Sequence, residues 1–256
     1  MRRRPLATAL LCVACILPGA RPAAGGPPFV TDDPEPVEHR HWELYVASQH
    51  AETAEGWSGT APHIEVNYGA APELQLHLIA PLAYDAPALG SRHCGYGDTE
   101  LGAKYRFIRE TPGFPQVGIF PLLEIPSGDA RRGLGSGHGQ AFLPVWLQKS
   151  WGETGRPWTI YGGGGYLVDL GAAHHGRGLM GIVVQRQVRA SVLVGGEVYH
   201  QTAPAPGGRA DTVFDLGTVV DLSDRHHLLL SAGGSIDGPT RLQIYAAYQL
   251  TVGPGR

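Results

Sequence analysis

Cysteine, methionine and long apolar runs are all scarce in this chain of 256 residues, and each scarcity excludes something. Of the three cysteines, Cys12 and Cys15 fall in an N-terminal apolar stretch and only Cys94 lies beyond it, so no intramolecular disulfide staples the exported form. Past that stretch no segment reaches the roughly 18 uninterrupted apolar residues of a membrane-spanning helix. The two methionines stand beside 37 glycines and 21 prolines, a composition set against helical bundles because Gly and Pro are the poorest helix formers. A formal net charge of -3 supplies no basic field for nucleic acid.

What is present at the N-terminus is an export signal. Arg2, Arg3 and Arg4 precede the apolar stretch from Leu6 to Leu17, and the small residues Ala23 and Ala24 follow. Basic, apolar and small segments in that order predict a secretory signal peptide over 1–24. Residues 25–40 are then a periplasmic N-terminal leader rich in proline and acid, and 41–252 form the main domain.

The main domain carries a repeated period of two, which places alternate residues on opposite faces of a strand. Near the C-terminus Leu242, Ile244, Ala246, Tyr248 and Leu250 alternate with Gln243, Tyr245, Ala247 and Gln249. Leu74, Leu76 and Leu78 oppose Glu73, Gln75 and His77, and Leu101, Ala103, Tyr105 and Phe107 oppose Glu100, Lys104 and Arg106. The pattern predicts strands near 41–49, 61–69, 73–82, 98–108, 115–126, 139–150, 157–168, 178–187, 190–201, 211–222, 226–236 and 240–252.

The connections 50–60, 83–97 and 127–138 read as long, and Ala70–Pro72, Arg109–Phe114, Val188–Arg189 and Ser223–Arg225 as short. Long loops at one end and short turns at the other characterise outer-membrane barrels. Tyr68, Phe107, Trp151 and Trp158 gather at the short-turn end, as interfacial aromatic rings do. The expected fold is all-β: an antiparallel transmembrane β-barrel of about 12 strands, whose closure satisfies every backbone polar group within lipid. Its expected location is the Gram-negative outer membrane, with lipid and the barrel-assembly machinery as partners and no nucleic acid.

With the apolar set toward lipid, the expected lumen-lining residues are Glu73, Glu100, Lys104, Arg106, Glu124, Arg186, Glu197, Asp215, Asp221 and Arg241. Mixed charges of this kind define a selective constriction or, equally, a ladder of ion pairs that fills a narrow, structural barrel. The leader either folds into the periplasmic mouth as a hatch, with Phe29, Asp32 and Asp33, or remains a solvated tail, which a proline-rich terminus favours.

No metal or cofactor is expected. The pairs His174-His175 and His226-His227 lie at opposite ends of the domain, and neighbouring side chains on a strand point apart. Catalytic residues are not expected either, although outer-membrane lipases and esterases make an enzyme the alternative class. Ser136 and His138 sit close together in Gly135-Ser136-Gly137-His138, but without a G-x-S-x-G elbow.

Three stretches carry a family resemblance: Pro28-Phe29-Val30-Thr31-Asp32-Asp33-Pro34, Gly95-Tyr96-Gly97-Asp98-Thr99-Glu100-Leu101-Gly102-Ala103-Lys104-Tyr105-Arg106-Phe107, and Phe120-Pro121-Leu122-Leu123-Glu124-Ile125-Pro126-Ser127-Gly128-Asp129. Together with Gly162-Gly163-Gly164-Gly165-Tyr166 and Ala246-Ala247-Tyr248-Gln249-Leu250, the chain resembles the outer-membrane transporter family related to the MetA-pathway phenol-degradation proteins. The resemblance implies a barrel that admits small, hydrophobic or aromatic compounds by passive or facilitated diffusion, and it brings no established site residues. One departure is the C-terminus, where Leu250-Thr251-Val252 runs on into Gly253-Pro254-Gly255-Arg256 instead of ending on an aromatic residue.

Overall fold

The computed structural model describes residues 26–171 and 175–254. The expected signal peptide and His174 lie outside the described residues. Fourteen strands form one antiparallel sheet: β1 (Trp42–Thr53), β2 (Gly56–Ala71), β3 (Leu74–Pro87), β4 (His93–Tyr96), β5 (Thr99–Ile108), β6 (Gln116–Ile119), β7 (Leu122–Ile125), β8 (Gln140–Glu153), β9 (Arg156–Asp169), β10 (Arg177–Arg189), β11 (Val192–Gln201), β12 (Asp211–Asp221), β13 (His226–Asp237) and β14 (Leu242–Val252). A single turn of 3-10 helix, Ala130–Arg132, sits in the loop between β7 and β8.

These fourteen segments make twelve staves. β4 and β5 both pair with β3, and β6 and β7 both lie between β5 and β8. The second break falls at Phe120-Pro121, where proline has no N–H to give to the ladder. The first and last strands pair from Trp42↔Val252 to Glu52↔Leu242, which closes the sheet into a barrel. Closure leaves no open edge to attract another chain.

Two connections differ from expectation. Residues 50–60 form no long loop, because β1 and β2 continue their ladder through Gln49↔Thr60 and Glu52↔Trp57 to a tight turn at Ala54-Glu55. Likewise β3 runs on to Pro87, leaving only 88–92 before β4. The asymmetry persists in another form: hairpins extended as sheet, together with the loops 126–139 and 202–210, project at that end, while the opposite end closes with turns as short as Thr154-Gly155 and Ala190-Ser191.

The two faces separate as the alternation predicts. Leu76, Leu78, Leu101, Leu143, Ile182 and Leu216 stand exposed on the outer surface, and their neighbours Gln75, His77, Lys104, Val183, Gln185 and Asp215 are buried inside. An apolar surface of this extent is untenable in water and suits a hydrocarbon layer. Trp42 stacks on Tyr68 at 4.3 Å between centroids near the short-turn end, the end at which the exposed Phe107, Trp151 and Trp158 also lie, on other strands. These rings form an interfacial girdle.

The leader is not a solvated tail. At the short-turn mouth the Arg40 amide donates to the carbonyl of Gly69 at 2.7 Å, and the Gly69 amide donates to the carbonyl of His41 at 3.0 Å. From this latch the chain turns back into the barrel, where Phe29, Thr31, Asp33 and Val37 are all buried.

Candidate functional site

The inward-facing residues hold the leader at five stations. Nearest the mouth, the Val37 amide donates to Gln75 Oε1 at 2.9 Å, and Glu35 accepts from Arg106 Nη1 at 2.8 Å and from Gln116 Nε2 at 2.7 Å. Arg106 also donates through Nε to Glu73 at 2.6 Å, and Glu73 pairs with Arg109 as well. Deeper, Lys104 Nζ lies 2.8 Å from Asp32 Oδ1 and 3.5 Å from Asp33 Oδ1. On the far wall the Val30 and Thr31 amides donate to the two carboxylate oxygens of Glu197, at 3.0 and 2.5 Å. Ser231 Oγ donates to the carbonyl of Pro28 at 2.6 Å.

Shape supplements these polar contacts. Phe29 packs on Tyr161 and Val183, and glycines on the facing strands leave the space it fills. A β-carbon at Gly217 or Gly195 would come within 2.8 or 3.1 Å of its ring, and one at Gly181 would collide with Thr31 Oγ1. Glycine weakens a strand interior, and its usual compensation is close approach of another segment, here the leader. We therefore expect Gly181→Val to leave the barrel folded while expelling Thr31. Proteinase K should then clip within 27–38 and spare the barrel, whereas a leader as resistant as in the parent protein would count against this packing.

Electrostatics ties the leader to pH. Burial pushes the Asp33 carboxyl up to about 7; Lys104 opposes the rise, and Asp32 and Glu35 add to it. In an undocked, hydrated leader the same carboxyl has its ordinary value of 3.8. Below about pH 4 the proton is held in both states; from there to about 7 only the docked state keeps it, so docking weakens as pH rises through that window and then levels off. A spin label at Val30→Cys in a Cys94→Ser background should gain mobility between pH 4 and 7. A label that gains mobility on acidification would contradict the assignment.

Most of the sequence-predicted lumen residues point inward, but the structure sorts them into separate groups. Lys104, Arg106 and Glu197 meet the leader, and Glu73 stands behind them as a partner of Arg106 and Arg109. Asp215 accepts from Gln243, and Asp221 lies 2.6 Å from His227 Nδ1 near the short turns. Glu100 and Glu124 are cross-strand partners toward the long-loop end, beyond the leader.

Two expectations are corrected. Arg186 is exposed on the outer face, in register with Ile182 and Val184, and its guanidinium lies over Trp158 at 4.9 Å. Strand parity puts it there, and a long cationic side chain near a strand end reaches the membrane interface without entering the lumen. Arg241 is exposed in the turn before β14, past the last inward position of the strand. Phe29, Asp32 and Asp33 sit within the lumen and not merely at its mouth. Reasoning from charge alone missed Gln75, Gln116 and Ser231 and the glycine cradle, although all occupy inward positions of the alternation.

Toward the long-loop end the lumen keeps a cavity of about 400 Å³, partly open, whose wall includes Glu100, Glu124, Phe142, Leu167, Arg177 and Leu179. In the adjoining loop Ser136 Oγ donates to Asp98 Oδ2 at 2.8 Å and to the carbonyl of His138 at 2.6 Å. His138 Nδ1 lies 2.8 Å from Asp169. The hydroxyl is thus engaged with acceptors other than the imidazole, an arrangement that pins the loop and does not activate a nucleophile. His226 and His227 take different partners, Tyr248 and Asp221, and among the described residues no three ligand side chains gather to hold a metal.

The barrel is similar to solved outer-membrane proteins. The COG4313 outer membrane channel from Pseudomonas putida F1 matches with a TM-score of 0.68 and 16% identity over 86% of this chain and 98% of that one. The NanC porin matches at 0.55 with 8% identity, covering 81% of this chain and 98% of that one. The translocator domain of the autotransporter NalP from Neisseria meningitidis matches at 0.50 with 8% identity, covering 82% and 87%. No protein-family model and no curated protein matches the chain. At such identities the likeness establishes the fold: a closed, twelve-stave antiparallel β-barrel of the outer-membrane type.

Proposed function

We propose that this protein is an outer-membrane channel for passive or facilitated diffusion of small solutes, with its own N-terminal leader as the resident occupant of the pathway. The observation that carries the reading is how the lumen is filled. The short-turn half is occupied by a separate segment held through hydrogen bonds and ion pairs, and the long-loop half remains a cavity. A barrel built only as a scaffold fills its interior with side chains from its own wall. Here a segment outside the sheet takes that place, so its release would widen the path without unfolding the sheet.

The resemblance to the transporter family related to the MetA-pathway proteins supports small hydrophobic or aromatic compounds as cargo, and the leucines and Phe142 of the cavity wall suit such molecules. Resemblance in fold to channels and porins favours the same class. Liposome swelling with purified protein tests the reading. Swelling should decline as solutes grow from small aromatics to oligosaccharides, and rates equal to protein-free liposomes for every solute would refute it. Ester or phospholipid turnover dependent on Ser136 is expected to be absent, and a purified-protein assay with Ser136→Ala as the control checks this.

A further inference from the structure

The cavity beyond the leader carries an unusual charge arrangement. Glu100 is engaged, with Oε1 at 2.9 Å from His77 Nε2. Glu124 and Arg177 both face the cavity, and among the described residues neither side chain makes a hydrogen bond or an ion pair. The sheet order explains why they do not meet. β7 and β10 are separated by β8 and β9, which sets the backbones of Glu124 and Arg177 about three strand spacings apart, roughly 14 Å along the wall. Both side chains line the same cavity, where the charge of Arg177 acts on the Glu124 carboxylate without a direct ion pair. Phe142, Leu167 and Leu179 supply the apolar surface of that cavity.

Complementarity then narrows the solute. A simple organic cation would satisfy Glu124 and leave Arg177 unmatched. An anion would do the reverse and add a third negative charge to a cavity that already holds Glu100 and its cross-strand neighbour Glu124. A neutral aromatic would match neither group, and unmatched polar groups in a partly desolvated site are costly. We propose that this cavity is a selectivity subsite for small zwitterions with an apolar side chain, of the chemistry of an apolar α-amino acid. The ammonium sits at Glu124, the carboxylate at Arg177 and the hydrocarbon or ring against Phe142. This inference rests on the channel reading for its role in passage, but not for binding itself.

The experiment compares four probes that share a benzyl group: phenylalanine, phenethylamine, 3-phenylpropionate and benzyl alcohol. Binding to the detergent-solubilised full chain is followed by saturation-transfer NMR, and flux by proteoliposome uptake. Phenylalanine should bind about tenfold more tightly than either singly charged probe, the size expected of one charge-assisted hydrogen-bond set. Glu124→Gln should remove its advantage over phenylpropionate, Arg177→Gln its advantage over phenethylamine, and Arg177→Lys should restore part of the latter. Heat-modifiable migration verifies folding of each variant; if one fails to fold, the ranking of the four probes on the parent protein decides by itself. Equal binding of all four, or a phenylalanine preference that survives both substitutions, would overturn the proposal. Charge-selective binding with no flux leaves the subsite standing and refutes the channel, whereas flux of all four at equal rates without selective binding does the opposite.

Discussion

Deleting residues 27–38 raises the single-channel conductance of the reconstituted barrel by at least about twofold, because the deletion removes the segment that fills the narrow half of the pore. The twelve staves do not depend on the leader for closure, since β1 pairs directly with β14 over eleven registered positions. What the deletion exposes is a polar wall: Gln75, Lys104, Arg106, Glu197 and Ser231 lose their leader partners together. Lys104 and Arg106 then face open solvent against fewer acids, which shifts selectivity toward anions. Planar-bilayer recordings of the parent and the deletion under a salt gradient measure both effects. An unchanged conductance and reversal potential would mean that the leader is no obstacle to ions.

Lys104→Met undocks the leader without shortening it. Lys104 is buried and faces both Asp32 and Asp33, so its removal leaves two acids inside the lumen without their cation. Removing one partner of a buried pair costs about 3–5 kcal/mol, since the remaining charge stays desolvated. The protein escapes that cost by releasing the leader to water or by protonating the acids. Methionine preserves most of the side-chain volume and the contact with Phe120, so the barrel itself should keep its heat-modifiable migration. The expected results are rapid proteolysis within 27–38 at neutral pH, partial protection restored near pH 4, and a conductance approaching that of the deletion. A leader protected to the same extent as in the parent at neutral pH would show that Glu197 and Arg106 hold it without Lys104.

The two experiments separate obstruction from anchorage. If the deletion opens the pore and Lys104→Met does not, the leader blocks but is held elsewhere; the glycine cradle around Phe29 and Thr31 is then the principal anchor, and Gly181→Val tests it.

The fold class was legible in the sequence because strand geometry is local. Side chains alternate with a period of two, so Leu74-Gln75-Leu76-His77-Leu78 states its own outward and inward sets, and a repetition of that statement over the chain specifies a sheet with an apolar outside. The count of twelve staves followed from the same rule, with breaks at Gly97-Asp98 and Phe120-Pro121 that do not change the closure. Arg186 was misassigned by reading its charge ahead of its parity: its neighbours Val183 and Gln185 are the inward pair, which leaves Arg186 outside over Trp158.

Closure and occupancy of the lumen were decided by the tertiary structure alone. Asp32 and Lys104 stand 72 positions apart, and Thr31 and Glu197 166 apart, so no local pattern announces either contact. A proline-rich acidic leader has the composition of a solvated tail; only a closed wall that offers Lys104, Arg106 and a bed of glycines at matching depths turns it into a packed segment. The same holds for Glu124, an expected inward acid, and Arg177, which lies just ahead of the expected strand 178–187 and which the structure places at the start of β10. Curving the sheet into a barrel makes them face one space, and two intervening staves keep them from meeting. Alternation therefore determines which way each residue points, whereas the radius and order of the closed sheet determine what it points at.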